Sequence, residues 1–166
     1  MLSGGCNEPT RHSSTAAVEG TRVSSEWQPW AALAGFAFLG NFAWEMAQMP
    51  LFGMRNPSGW AMLGECTQAT AGDAVLTLMA YGVAALCRRR PRWLLAPSPI
   101  EGAVFLGVGV AATMALEWWN VTVRHAWAYS ATMPTVAGIG LAPLMQWVLL
   151  PPLTLWLARR HVVVTR

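Results

Sequence analysis

The sequence predicts an all-α protein, a polytopic bundle of four transmembrane helices. Three observations carry this. Hydrophobic residues make up 54% of the 166-residue chain and charged ones 11%, a balance that points away from soluble domains and toward the membrane class. The apolar residues gather into four stretches, 30–52, 68–87, 100–123 and 136–158, each near or above the roughly 20 residues that a helix needs to cross a hydrocarbon core. None of the four alternates with period two, and within lipid a helix satisfies every backbone group internally.

The elements follow in chain order. Residues 1–26 are dense in Ser, Thr and Gly and poor in large apolar side chains, so they are expected to form a disordered cytoplasmic tail ahead of a membrane domain over 27–160. The tail has no apolar core of the kind a secretory signal requires. Residues 161–166 are expected to form a short C-terminal cytoplasmic tail. All 11 basic residues are Arg. They cluster at Arg88–Arg92 and at Arg159–Arg160, with Arg11 and Arg22 in the tail, whereas the other two loops hold only Arg55 and Arg124. The positive-inside rule then places both termini in the cytoplasm, and the Arg bias suggests a bacterial inner membrane. These clusters are short and juxtamembrane, so anionic lipid accounts for the basic pI without a nucleic-acid partner. Most of the ten Trp lie near expected helix ends: Trp27, Trp30, Trp93 and Trp156 on the inner side, and Trp44, Trp60, Trp118, Trp119 and Trp127 on the outer, as two interfacial belts.

The first span carries Asn41, Glu45 and Gln48 at i, i+4 and i+7, a single stripe near its outward end. An ionisable stripe is expected to face the bundle interior or a wet cavity, because exposing a carboxylate to lipid costs several kcal/mol. The third span repeats the pattern with Thr113, Glu117, Asn120 and Arg124, followed by His125. Aligning Glu45 with Glu117 also pairs Asn41 with Thr113 and Gln48 with Asn120, a hint of two parallel two-helix repeats. A ridge of Ala103, Gly107, Ala111 and Ala115, with Gly35, Ala43 and Ala47 as its shorter counterpart, is expected to let another helix approach closely. The second span offers Asp73, Thr77 and Tyr81, although "TAGD" also reads as a helix start with Asp73 favoured by the dipole. The fourth offers Gln146 and Trp147, with Pro143 and Pro151–Pro152 as sites of a kink. Glu101 is read as a dipole partner without a chemical role. Cys6, Cys66 and Cys87 show no paired spacing.

The candidate site is therefore an outward-side polar pocket. Glu45, Glu117 and Asp73 are the candidate catalytic carboxyls, and Asn41, Gln48, Trp44, Trp118, Asn120, Arg124, His125, Gln146 and Trp147 the candidate substrate-binding residues. Two buried carboxyls close together repel when both are ionised, so one is expected to keep a proton that it can donate. Aromatic faces lining the same pocket would stabilise a cation. An isoprenoid-like or other amphipathic lipid, or another hydrophobic small molecule, fits such a site. No cofactor is identified by the residues. A metal is disfavoured, since only His125 is on the right side and no Glu-x-x-His pair appears.

Residues 127–147, "WAYSATMPTVAGIGLAPLMQW", resemble the "W-x-Y … P-L-E-E" segment of the integral-membrane lycopene cyclase domains of carotenoid biosynthesis. Trp127 and Tyr129 match its start and Pro143–Leu144 its end, over about an eighth of the chain. The acidic pair that closes the motif is replaced by Met145–Gln146, so the resemblance implies no cyclase activity here. The first span is similar to that of small uncharacterised bacterial membrane proteins with an "N-x-x-W-E-x-x-Q" helix, which adds no activity. Three alternatives stay open: a proton or ion pathway, an accessory subunit or homo-oligomer whose polar stripes meet a membrane-protein partner, and a structural network of Glu45 or Glu117 with Arg124.

Overall fold

The computed structural model describes residues 27–53 and 58–165. The expected tail over 1–26, with Cys6, Arg11 and Arg22, lies outside the described residues, as does Arg55. Four helices make up the framework: α1 (Gln28–Gln48), α2 (Gly59–Arg88), α3 (Pro99–Trp118) and α4 (Leu141–Val164). α2, α3 with its continuation to Val123, and α4 are each long and apolar enough to cross a membrane. At 21 residues α1 has the length, but Asn41, Glu45 and Gln48 dilute its apolar character and it falls outside that set.

Local chemistry sets the helix ends. Pro29 and Pro99 occupy first-turn positions of α1 and α3, where a missing N–H costs nothing and the fixed φ suits a helix. Ser58 caps α2 by accepting the Ala61 amide at 3.4 Å. α2 therefore begins nine residues before the expected 68, and Asp73 lies mid-helix, which removes the helix-start reading of "TAGD". α2 closes on Arg89 in the left-handed conformation, φ 51°, with the Arg90 amide returned to Ala85 O at 2.9 Å. The last turn of α3 widens into a π turn over Trp119–Val123.

The fourth helix also departs from expectation. Residues 136–140 form part of a hairpin, β1 (Thr135–Val136) against β2 (Ile139–Gly140), turned by Ala137 and Gly138 at φ 53° and 79°. Pro143 sits in the first turn of α4, where it breaks no hydrogen bond, and the helix runs through Pro151 and Pro152 to Val164. Most of the expected 161–166 tail is thus helical.

α1 packs against α2 and α4, and α3 packs against the same two neighbours. α1 and α3 consequently stand at opposite corners. A file of rings forms the core: Trp30 meets Tyr81 edge-on at 4.7 Å, Tyr81 stacks on Trp93 at 4.9 Å, Trp93 meets Phe105 at 5.8 Å and Phe105 meets Trp147 at 6.4 Å. Trp93, expected in a belt, is 1% exposed; its indole donates to Tyr81 O at 3.3 Å, and the short turn over Trp93–Leu95 tucks it under the helices. Trp27, Trp60 and Trp156 are exposed, in keeping with an interfacial place.

Trp147 lies so close to α3 that a Cβ on Gly109 would overlap its ring. Gly109 is therefore the small residue that lets α3 and α4 approach. Ala103, Gly107, Ala111 and Ala115 are instead exposed on the outer face of α3, and a Cβ on Gly107 would touch nothing. Gly35, Ala43 and Ala47 are exposed as well, so neither expected ridge packs within the bundle. At the end of the bundle that holds the Arg cluster, Glu101 is buried and pairs with Arg90 at 2.7 Å while also accepting from Ser98. That gives Glu101 a partner across the α2–α3 turn, beyond any dipole role.

Candidate functional site

The opposite end of the bundle encloses a cavity of about 700 Å³ lined by all four helices and two loops. Its polar wall is assembled one helix at a time. α1 contributes Glu45 and Gln48, α2 contributes Glu65 and Asp73, α3 contributes Thr113 and Glu117 with Asn120 from the π turn that follows it, and α4 contributes Gln146. Met49, Phe52, Leu76, Leu116 and Trp147 supply apolar wall. The accessible side is formed by exposed residues of α2 and α3, among them Gln68, Ala69, Gly72 and Leu116.

Gln146 is the hub of the polar wall. Its amide nitrogen donates to Asn41 Oδ1 at 2.8 Å and to Asp73 Oδ2 at 2.7 Å, and its oxygen accepts from Gln48 Nε2 at 3.4 Å. Gln48 also donates to Glu45 Oε1 at 2.8 Å and accepts the Trp44 indole N–H at 3.0 Å. One buried amide thus ties α4 to α1 and α2.

Glu117 is held from the loop that follows α3. The Tyr129 hydroxyl donates to its Oε2 at 2.6 Å, and the Trp127 indole N–H donates to the same oxygen at 3.4 Å. That loop is itself fixed over the cavity by an antiparallel bridge between Phe52 and Tyr129, with Gly53 N–H to Ala128 O at 2.8 Å and Ser130 N–H to Leu51 O at 2.9 Å. Burial, and after it the bond to Glu117, push the Tyr129 phenol up to about 12 from an ordinary 10.0. Because the folded value lies above the ordinary one, the stability this phenol adds is complete below pH 10.0 and is lost as pH rises through about 12. Tyrosinate absorbance in a Tyr81→Phe protein, which leaves Tyr129 alone, is expected to show that late midpoint. Adding Glu117→Gln should lower it only part of the way, since burial is the larger cause.

The carboxyls singled out from sequence, Glu45, Asp73 and Glu117, line this one cavity, as do Gln48, Asn120, Arg124, Gln146 and Trp147. Four expected binding residues do not line it. Asn41 and Trp44 stand behind the wall as partners of Gln146 and Gln48. Trp118 is 54% exposed on the outer face of α3. His125 is exposed with a left-handed backbone, φ 49°, and its ring nitrogen lies 3.1 Å from Val121 O; the π turn carries it off the Glu117 stripe. The alternative network of Arg124 with Glu45 or Glu117 is not what the structure holds; Arg124 Nη1 instead donates to Asn120 Oδ1 at 3.3 Å. Tyr81 belongs to the aromatic core, where its hydroxyl donates to Pro91 O at 3.0 Å.

Sequence reasoning misses Glu65 and Cys66 because it starts the second helix at 68, and it assigns no role to Gln68, Ala69 and Gly72 at that start. The available signal is Ser58 after Pro57, a cap that extends the Asp73 stripe back through Ala69 and Glu65. Cys66 and Cys87 are free thiols. Among the described residues no three His, Cys, Asp or Glu side chains converge to hold a metal ion. No family model, curated protein or solved structure matches the chain. What the fold defines is the class, a helical-bundle membrane protein with an acidic cavity at one end.

Proposed function

We propose that this cavity is a binding site for an isoprenoid-like or other amphipathic lipid, whose head meets the carboxyl-rich wall and whose tail leaves between α2 and α3. The observation that carries the proposal is the convergence of Glu45, Asp73 and Glu117 on one cavity with a mostly apolar lining and an accessible side on the α2 and α3 surface. A volume of about 700 Å³ suits a lipid head and the first part of its tail. Carboxyls that face one another away from bulk water are suited to share and transfer a proton, so acid–base chemistry on the bound lipid belongs to the same proposal. Cyclase chemistry does not, because Met145–Gln146 replaces the acidic pair.

In this proposal α1 crosses the membrane as a fourth span, its polar stripe spent on the cavity and on Gln146 instead of lipid. Four crossings keep both termini on the Arg-rich, cytoplasmic side of a bacterial inner membrane. The two-repeat origin gains support from α1 and α3, which stand at opposite corners, each with a carboxyl on the cavity and a buried Asn41 or Thr113 one turn earlier. A proton pathway is less well supported, since among the described residues the core of the other half of the bundle is dominated by the ring file. Mass spectrometry of small molecules retained by the detergent-purified protein tests the proposal. A discrete lipid should co-purify, and Glu45→Gln with Glu117→Gln should lower its occupancy at least about tenfold, roughly 1.4 kcal/mol. Unchanged occupancy in that double variant, or no retained lipid, counts against it.

A further inference from the structure

The geometry points to a head of one charge type: an amphiphile bearing an ammonium group, seated among Glu45, Asp73, Glu117 and the Thr113 hydroxyl. This rests on the lipid-site proposal and narrows it.

The first support is a surplus of acceptors. Protein donors reach Glu45 at Oε1 from Gln48, Asp73 at Oδ2 from Gln146, and Glu117 at Oε2 from Tyr129 and Trp127. Each carboxyl keeps lone pairs beyond those bonds, and Glu45 and Asp73 also face one another. Gln48, Gln146, Tyr129 and Trp127 are the donors these three carboxyls draw on, so the centre of the cavity offers more carboxyl lone pairs than donors to fill them. An occupant that satisfies it must donate, and a positively charged donor does so with the strongest hydrogen bonds.

The second support is independent of the carboxyls. Thr113 lines the cavity and is only 7% exposed, yet its Oγ1 meets no hydrogen-bond partner among the described residues. A buried hydroxyl without a partner costs about 1–3 kcal/mol, and an ammonium N–H directed at Oγ1 removes that cost.

Charge and size exclude the rivals. An anionic head would meet Glu45, Glu65, Asp73 and Glu117, against which the lining sets, among the described residues, the cation Arg124, exposed at the rim and turned to Asn120. A bare metal ion lacks the close group of three ligands it needs among the described residues. An ammonium is larger, carries three N–H donors in several directions, and would also meet the rings of Trp127 and Trp147, which line the same cavity.

Three probes with one tail decide the question: dodecylamine, dodecanol and laurate, each added at equal mole fraction to the full chain in uncharged detergent micelles and read by native mass spectrometry. Dodecylamine is expected to bind at least about tenfold tighter than dodecanol, with laurate weakest. Thr113→Val, nearly the same shape, should reduce amine binding severalfold while the melting temperature of the ligand-free protein holds or rises, and Glu45→Gln should shrink the advantage of amine over alcohol. If dodecanol or laurate binds as well as the amine, the charge selection is wrong and the lipid site stands. If none of the three binds, both fall. The three-probe comparison on the unaltered chain separates these outcomes even where a variant fails to fold.

Discussion

Trp93→Ala is expected to destabilise the protein by about 3–5 kcal/mol, the range for removing a fully buried Trp. The side chain is 1% exposed and sits in the middle of the ring file, between Tyr81 and Phe105. Its loss opens a cavity that rigid neighbours cannot fill and leaves Tyr81 O without the indole donor. An interfacial Trp in a belt would lose only a fraction of that, since lipid or water takes its place. Equilibrium unfolding in mixed micelles separates the two cases, and Trp27→Ala, at an exposed position, supplies the comparison with an expected change under about 0.5 kcal/mol.

Gln146→Leu is expected to cost about 2–4 kcal/mol and to lower lipid occupancy with it. Single polar pairs between membrane helices contribute only about 1 kcal/mol, because the separated helices find other partners. Gln146 is different in joining three helices through one buried amide: Asn41 Oδ1 and Asp73 Oδ2 both lose their donor, and Gln48 loses an acceptor. Leu fills nearly the same volume, so the loss reports hydrogen bonding and not packing. Unfolding of the Gln146→Leu protein beside Val148→Leu, a change at an exposed site of the same helix, measures the difference.

The helices and the acidic stripe were legible in the sequence for a simple reason. Apolar length and the i, i+4, i+7 placement of Asn41, Glu45 and Gln48 are properties of one helix, and one helix can be read alone. What could not be read was set by contacts between elements. Trp93 looked interfacial because it follows an Arg cluster; the turn that buries it depends on Tyr81, twelve residues earlier. The small-residue stripe on α3 looked like a packing face, yet the close approach is made at Gly109, where the ring of Trp147 happens to land. Trp127 and Tyr129 stood out only through a motif resemblance, and nothing local showed that a loop would bring their donors onto Glu117. Trp118 follows Glu117 directly in α3 and so sits about 100° round the helix from it, facing outward, while His125 comes after a π turn that has no composition signal of its own.

The same contacts explain why an acidic cavity persists in a chain with so few charges. Glu45, Asp73 and Glu117 are each bound by groups that a neighbouring residue or element must deliver: Gln48 within α1, Gln146 from α4, Tyr129 from the loop. Removing a delivering group leaves an acid facing an apolar wall, so the cavity and the fold around it are held by the same hydrogen bonds.

Chemical crosslinking between positions 45 and 117 tests the meeting of those side chains without reference to any ligand. In a chain with Cys6, Cys66 and Cys87 replaced by Ser, Glu45→Cys and Glu117→Cys are treated with a short bifunctional thiol reagent, and the intramolecular product is counted by mass spectrometry. A high yield of the 45–117 crosslink is the predicted result. Two thiols that each accept a monofunctional reagent but never bridge would place the two carboxyls apart, and the common cavity would be contradicted.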